Sequence, residues 1–262
     1  MDEDVVVGRD ASVKLIEEAQ RRGHEVFFYR PAGLAFSCGE LVAEAFSIRV
    51  GADSLGLYDK ARLSLGELDI LFVRQNPPFD MQYVTTTYLL ERLNVLMVNN
   101  PKAIRDHPEK LLPLSFPKVC GKADVGGISA SMVEHYGAPL VAQQFIDDVS
   151  SDKRVVLLGG KSIGAIRRRV TAIGEIRTNL RVGAVPEATE LSDKEREICH
   201  DVGMLLSSVG ILFAGIDILG GCLIEVNTTS PCGILEINQV YGKTLERDCW
   251  DHFEYALSHK SP

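Results

Sequence analysis

Apolar and polar positions in the first hundred residues switch between a helical and an extended period. In Ser12–Gly23 (SVKLIEEAQRRG), Leu15, Ile16 and Ala19 form an apolar stripe, Ser12 is placed to N-cap and Gly23 to stop the chain. This predicts a short helix, and His24–Tyr29 after it reads as a strand. Glu40–Val50 alternates loosely, as a strand of an excursion would, whereas Gly51–Gly66, with its Gly, Asp and Ser, reads as linker. Leu68–Val73 is a continuous apolar run and predicts a buried strand. Arg74–Asp80 (RQNPPFD) ends it, because two prolines exclude a helix and force extended geometry. Met81–Leu93 is helical with Tyr83, Leu89, Leu90 and Leu93 inward, Val95–Val98 is the next strand, and Asn99-Asn100-Pro101 opens a helix. Strand–helix alternation of this kind predicts an α/β domain with a partly parallel sheet.

The second half changes pattern. Ser129–Tyr136 reads as a helix and Pro139–Ile146 (PLVAQQFI) as a strand. Val155–Leu158 and Ser162–Arg168 are strands joined by a Gly159-Gly160 turn. Val170–Val185 is loop-rich. Leu191–Val209 is a helix whose N-cap is Ser192 and whose capping-box partner is Glu195. Ser230–Ile234 opens a last helical part, and Trp250–Pro262 is an amphipathic helix end.

Between these helices lies Ala214–Pro231, AGIDILGGCLIEVNTTSP, two apolar runs around Gly220-Gly221 that predict a β-hairpin. Asp217, Glu225 and Asn227 interrupt the apolar background. A carboxylate inside such a run is costly unless a cation, a charged partner or hydrogen bonds compensate it. Glu225 and Asn227, two apart, share a strand face. A three-residue loop (Gly220, Gly221, Cys222) sets Asp217 opposite Glu225, and a two-residue loop turns it to the other face. The three-residue loop is the expectation, since it leaves no lone buried carboxylate. Oxygen ligands without His or Cys suit Mg²⁺ or Mn²⁺. The competing reading is a hairpin whose acids face solvent or meet lysines.

Composition narrows the class. A chain of 262 residues is long enough for two packed domains. Its net charge of −8 argues against a general nucleic-acid binder, so an anionic nucleotide would need a local cluster of Lys, Arg and metal. Six cysteines without C-x-x-C or zinc spacing fit reduced thiols. No apolar run reaches membrane-spanning length and the start MDEDVVVGRD is no signal peptide, which together predict a cytoplasmic protein without membrane partners.

D-x7-E-x-N followed by T-T-S-P resembles the metal-binding end of ATP-grasp ligases, and within them the prokaryotic glutathione synthetases. EAQRRGHEVFFY, the R-x-x-P-P-F-D loop (Asn76 departs from the family's Asp) and NNPKAIRDHPEKL resemble further segments of that family. The resemblance implies an N-terminal open α/β, Rossmann-like domain over 1–108 and an ATP-grasp domain over 109–262, with a lid lobe shortened at about 117–135. The family has one more strand before the position of Met1, so the chain begins late or the sheet has lost an edge.

The implied reaction joins γ-glutamylcysteine and glycine with ATP as co-substrate, releasing ADP and phosphate through an acyl phosphate. By the same resemblance Lys110, Gln143, Gln144, Phe145, Ile146 and Asp152 bind ATP, and Arg154, Arg169 and Arg177 act on the reacting phosphate. Asn179, Thr229 and Ser230 meet the substrate. Asp217, Glu225 and Asn227 hold Mg²⁺ or Mn²⁺, and the protein is a homo-oligomer. The family's G-G-R at the end of the catalytic loop is Gly183-Ala184-Val185 here, one arginine fewer. Two alternatives remain at this stage: another ATP-grasp carboxylate–amine ligase, or a non-catalytic nucleotide-binding remnant. Arg74 and Asp80 are read as holding their loop rather than meeting substrate.

Overall fold

The computed structural model describes residues 10–51, 55–76, 78–116, 146, 151–169 and 184–260. The expected helix 129–136, the strand 139–146 apart from Ile146, and the flap from 170 to 183 lie outside the described residues.

The first half opens with α1 (Ala11–Arg21), capped by the Asp10 side chain on the Ser12 amide rather than by Ser12 itself. A meander follows: β1 (Phe27–Ser37), β2 (Glu40–Val50) and β3 (Leu55–Ser64), all antiparallel. β3 occupies the stretch expected to be linker. Its central residues are exposed on both faces, so it lacks the apolar alternation that marks a half-buried strand. Two short parallel strands, β4 (Ile70–Phe72) and β5 (Leu96–Val98), alternate with α2 (Met81–Leu90) and α3 (Pro101–Asp106), as the alternation predicts. Asp80 holds its loop by capping α2, accepting from the Tyr83 amide at 2.9 Å.

The second half is built on one antiparallel sheet in the order β10-β9-β6-β7-β8. Its strands are β6 (Ser151–Leu158), β7 (Lys161–Arg169), β8 (Val185–Ala188), β9 (Phe213–Leu219) and β10 (Cys222–Asn227). Helix α4 (Asp193–Ser208) packs Ile198, Val202 and Leu206 with Val155, Ile216 and Val226, and the predicted Ser192–Glu195 capping box is formed. Helices α5 (Ile234–Tyr241) and α6 (Leu245–Ser258) pack Ile237, Leu245 and Phe253 with Val156, Leu158 and Ile166. Trp250 is buried in this cluster and donates to the Leu15 carbonyl at 2.8 Å, which docks α6 on α1.

Further contacts tie the halves together, two of them close to the hairpin. Buried Asn99 donates to the carbonyls of Phe213 and Thr228 at 2.6 and 2.8 Å and accepts from the Phe213 amide at 2.8 Å. Arg74 donates to Ser12 Oγ and, through both Nη atoms, to the Pro231 carbonyl. Cys38, Cys199, Cys232 and Cys249 are thiols. Cys222 is disulfide-bonded, against the expectation of thiols throughout. Among the described residues no helix is long and apolar enough to cross a membrane.

Candidate functional site

The hairpin sets the site's register by a route different from the one expected. Leu219 pairs with Cys222, so the loop has two residues, Gly220 and Gly221, both at positive φ. A register shift between Leu223 and Glu225 inserts an extra residue, and Glu225 then pairs with Asp217. The expected convergence is present. A β-bulge, not a three-residue loop, produces it.

Strand pairing extends this row across the sheet, because Asp217 also faces Arg154 on β6. One row therefore reads Glu225, Asp217, Arg154, Ile166. Two residues along, on the same face, Asp152 lies opposite Arg168, and two residues the other way Asn227 lies opposite Gly215. A Cβ on Gly215 would come within 2.8 Å of Arg154 Nη1, so the bare backbone there makes room for the guanidinium.

The charges in these rows are buried and paired. Arg154 Nε donates to Asp217 Oδ1 at 2.5 Å and Nη2 to Oδ2 at 2.9 Å, a bidentate fork. Arg168 Nη2 lies 3.0 Å from Asp217 Oδ1 and also donates to Asp152 Oδ2, while its Nε donates to Asp152 Oδ1 at 2.8 Å. Burial works to lower the Arg154 guanidinium, but Asp217 above all, with Cys232 and Glu225, outweighs it and holds its pKa above the ordinary value. Burial likewise works to raise the Asp217 carboxyl, and Arg154 and Arg168 pull it below the usual range.

Residues 109–110 close the open side of β10. Lys110, an exposed side chain, sits 2.6 Å from Glu225 Oε1. One Glu109 oxygen accepts from the Thr228 amide, the Thr229 amide and Thr229 Oγ1 at 2.8 to 2.9 Å. Thr229 is thus buried and engaged within the chain, and Ser230 Oγ donates to the Gln75 carbonyl at 3.4 Å.

Of the expected site residues, Arg154, Asp217, Glu225, Asn227, Lys110, Thr229 and Ser230 come together around β9 and β10. Asp152 joins them, with both carboxylate oxygens taken by Arg168. Arg169 does not: β7 alternates, so Arg169 lies on the exposed face with Arg167 and pairs with Glu187 at 2.6 Å. Ile146 lies against Gly220. Gln143, Gln144, Phe145, Arg177 and Asn179 lie outside the described residues. Arg168 and Glu109 were not expected. Strand alternation in Arg167–Arg169 was the available signal for Arg168, whereas nothing local marks Glu109.

Among the described residues no group of three or more His, Cys, Asp or Glu side chains is placed to hold a metal ion. The available hard donors are Glu225, the amide of Asn227 and Asp217. They fit a cation in one respect: the ammonium of Lys110 already stands on Glu225, so positive charge is accommodated there. Asp217 would have to share oxygens that Arg154 and Arg168 now hold.

Comparisons place this geometry among known proteins. The family model for the N-terminal domain of prokaryotic glutathione synthetase matches residues 1–105, and that for the ATP-grasp domain of the same family matches 114–242. A curated glutathione synthetase from Anaplasma centrale is 74% identical over 301 residues, covering 100% of this chain and 98% of the relative. Another from Mesorhizobium japonicum is 35% identical, covering 95% and 94%. The first alignment spans 301 residues against 262 in this chain, so the relative contains positions with no counterpart here. Among solved structures, the ATP-grasp ligase PsnB in complex with a phosphomimetic precursor variant, Mg and ADP superposes with a TM-score of 0.55 at 14% identity, covering 95% of this chain and 96% of that one. At that identity the likeness concerns the fold.

Proposed function

This chain belongs to the prokaryotic glutathione synthetase family of ATP-grasp ligases, and from that premise we propose that it joins γ-glutamylcysteine to glycine with cleavage of ATP to ADP and phosphate. The observation that carries the proposal is the cross-strand row of Glu225, Asp217 and Arg154 beside the Thr228–Pro231 loop. Forked cationic donors and hard oxygen ligands on one sheet face are what phosphoryl transfer to a carboxylate requires, since that reaction is catalysed by positioning and charge neutralisation.

In this reading the dipeptide carboxylate takes the γ-phosphoryl group, and the glycine amine displaces phosphate from the acyl phosphate. Arg154 offers its Nη1 edge, held at only 3.4 to 3.5 Å from the Cys232 carbonyl and Sγ, to the negative charge on the reacting groups. Lys110 leaves Glu225 for the nucleotide phosphates. Thr229 and Ser230 line the acyl-substrate side, with Arg74 behind Pro231. Arg177 and Asn179 serve the transferred phosphate and substrate, and Gln143, Gln144, Phe145 and Ile146 the nucleotide, whereas Arg169 and Asp152 are engaged by Glu187 and Arg168. Glu225 and Asn227, with Asp217 beside them, would hold a magnesium or manganese ion, which supplies charge neutralisation at the phosphates. A cytoplasmic, homo-oligomeric protein with domains over 1–108 and 109–262 completes the reading.

The test is ADP release measured with ATP, γ-glutamylcysteine and glycine, each omitted in turn. Turnover that needs all three supports the proposal, and turnover with a different amine or acyl donor replaces it. A second reading starts from the shortened lid lobe expected at about 117–135, and the Anaplasma relative does contain positions without counterpart in this chain. An open site exposes an acyl phosphate to water. ATP binding by calorimetry without ADP release would select that reading, a nucleotide-binding remnant.

A further inference from the structure

We propose that Arg168 is a positioning residue for Arg154, acting through Asp217; the inference rests on the ligase reading of Arg154 given above. Four side chains form an unbroken line, Asp152, Arg168, Asp217, Arg154, each about 95% buried or more. Their charges sum to zero. Arg154 alone would leave the Asp217 carboxylate free to turn about its last side-chain bond and carry the guanidinium with it. The Arg168 Nη2 contact with Asp217 Oδ1 at 3.0 Å reaches over from β7, on the far side of β6, and fixes the carboxylate plane. Arg168 is itself fixed by its fork on Asp152.

The arrangement needs a guanidinium. Arg168 addresses both oxygens of Asp152 and one of Asp217 with two nitrogens in a rigid plane, and a lysine ammonium on a flexible stem cannot span the same three oxygens. Its effect on Arg154 is directional. With Nε and Nη2 locked on Asp217, the Nη1 edge is the part of Arg154 left toward the Cys232 side of the loop after β10, where it makes a long contact with the Cys232 carbonyl at 3.4 Å and one with Sγ at 3.5 Å. Neither neighbour in the arginine run can substitute, because Arg167 and Arg169 point to the opposite face.

The test compares Arg168→Lys and Arg168→Met in the full chain by steady-state ADP release, thermal unfolding and ¹⁵N NMR of the arginine Nε–H groups, with Arg154→Lys to assign the Arg154 signal. The expected result for Arg168→Lys is a fall in kcat of about 10- to 100-fold, the usual range for a partner that orients a site residue. KM for ATP should change by less than about threefold, and the Arg154 Nε–H should lose its protection from solvent exchange. A purely structural role would lower the unfolding temperature yet leave kcat per folded molecule and the Arg154 signal unchanged, and that result overturns the proposal. If the unmodified chain releases no ADP, the ligase reading fails, and the NMR comparison alone decides whether Arg168 holds Arg154. Should Arg168→Met not fold, Arg168→Lys and the charge-matched double variant Asp152→Asn/Arg168→Met carry the same comparison. Continued protection of Arg154 in either refutes the positioning role.

Discussion

Arg154 on β6 and Asp217 on β9 face each other in strand register and are joined by two parallel charge-assisted hydrogen bonds, both side chains being about 95% buried. Breaking such a pair from one side leaves an uncompensated buried charge. Asp217→Ala should therefore cost roughly 3–5 kcal/mol of stability, read as a shift of the urea midpoint at unchanged slope. It should also abolish ADP release. Turnover that survives in this variant would remove Asp217 and its hold on Arg154 from the machinery.

Gly215 sits in the same neighbourhood and is bare for a reason. An alanine Cβ would lie 2.8 Å from Arg154 Nη1, and the arginine has little freedom to yield because Asp217 grips its other two nitrogens. Gly215→Ala should cost about 1–3 kcal/mol, as overpacking does, and should depress kcat more than KM. An active, fully stable variant would mean that Arg154 is free to move.

Lys110 and Glu225 make a different kind of pair. Lys110 is largely exposed, so its 2.6 Å contact is worth little to stability. Lys110→Ala should move the unfolding free energy by less than about 1 kcal/mol while raising KM for ATP by an order of magnitude or more. Thermal unfolding and initial-rate kinetics on one preparation separate the two effects. A variant that binds ATP normally would make Lys110 a surface lysine.

Glu109 carries more structural weight than its neighbour. It satisfies two backbone amides and one hydroxyl at the turn after β10. Glu109→Ala orphans those donors at about 1–3 kcal/mol for a buried unsatisfied group, and it should loosen the Thr229–Ser230 segment. Raised KM for the dipeptide, with KM for ATP less affected, is the expected kinetic signature.

How legible these relations were in the sequence depends on their range. The capping box on α4 and the pairing of Asp217 with Glu225 were readable, because both are local and periodic. The mechanism of that pairing was not, since a bulge between Leu223 and Glu225 changes phase without any glycine or proline to announce it. β3 escaped notice because a strand exposed on both faces carries no apolar period. In Arg167–Arg169 the alternation says that one arginine faces away from the other two, but only the sheet tells which face is interior. Glu109 meets Thr228 and Thr229 across more than a hundred residues, and no pattern along the chain encodes that contact.

Acid should strip the fold at its carboxylates, with a sign set by their depressed pKa values. The Glu18 carboxyl is pulled to about 2 by hydrogen bonds from Arg21 and Arg22 against the cost of burial, and Asp217 is pulled below its ordinary range by Arg154 and Arg168. A carboxylate whose pKa is lower folded than unfolded takes up protons preferentially in the unfolded chain. Its stabilisation is complete above the unfolded value near 4.5 and is lost as pH falls toward about 2. As far as these two carboxylates go, urea midpoints should hence be flat from pH 7 to about 5 and fall steeply below 4.5. Glu18→Gln should flatten part of that fall while lowering stability at pH 7. Arg22 also ties Glu18 to Asp251 and Glu254 on α6, so the loss is expected first where α1 docks on α6. A Glu18→Gln profile parallel to the unmodified one between pH 5 and 2 would show that the Glu18 contacts add nothing to acid stability.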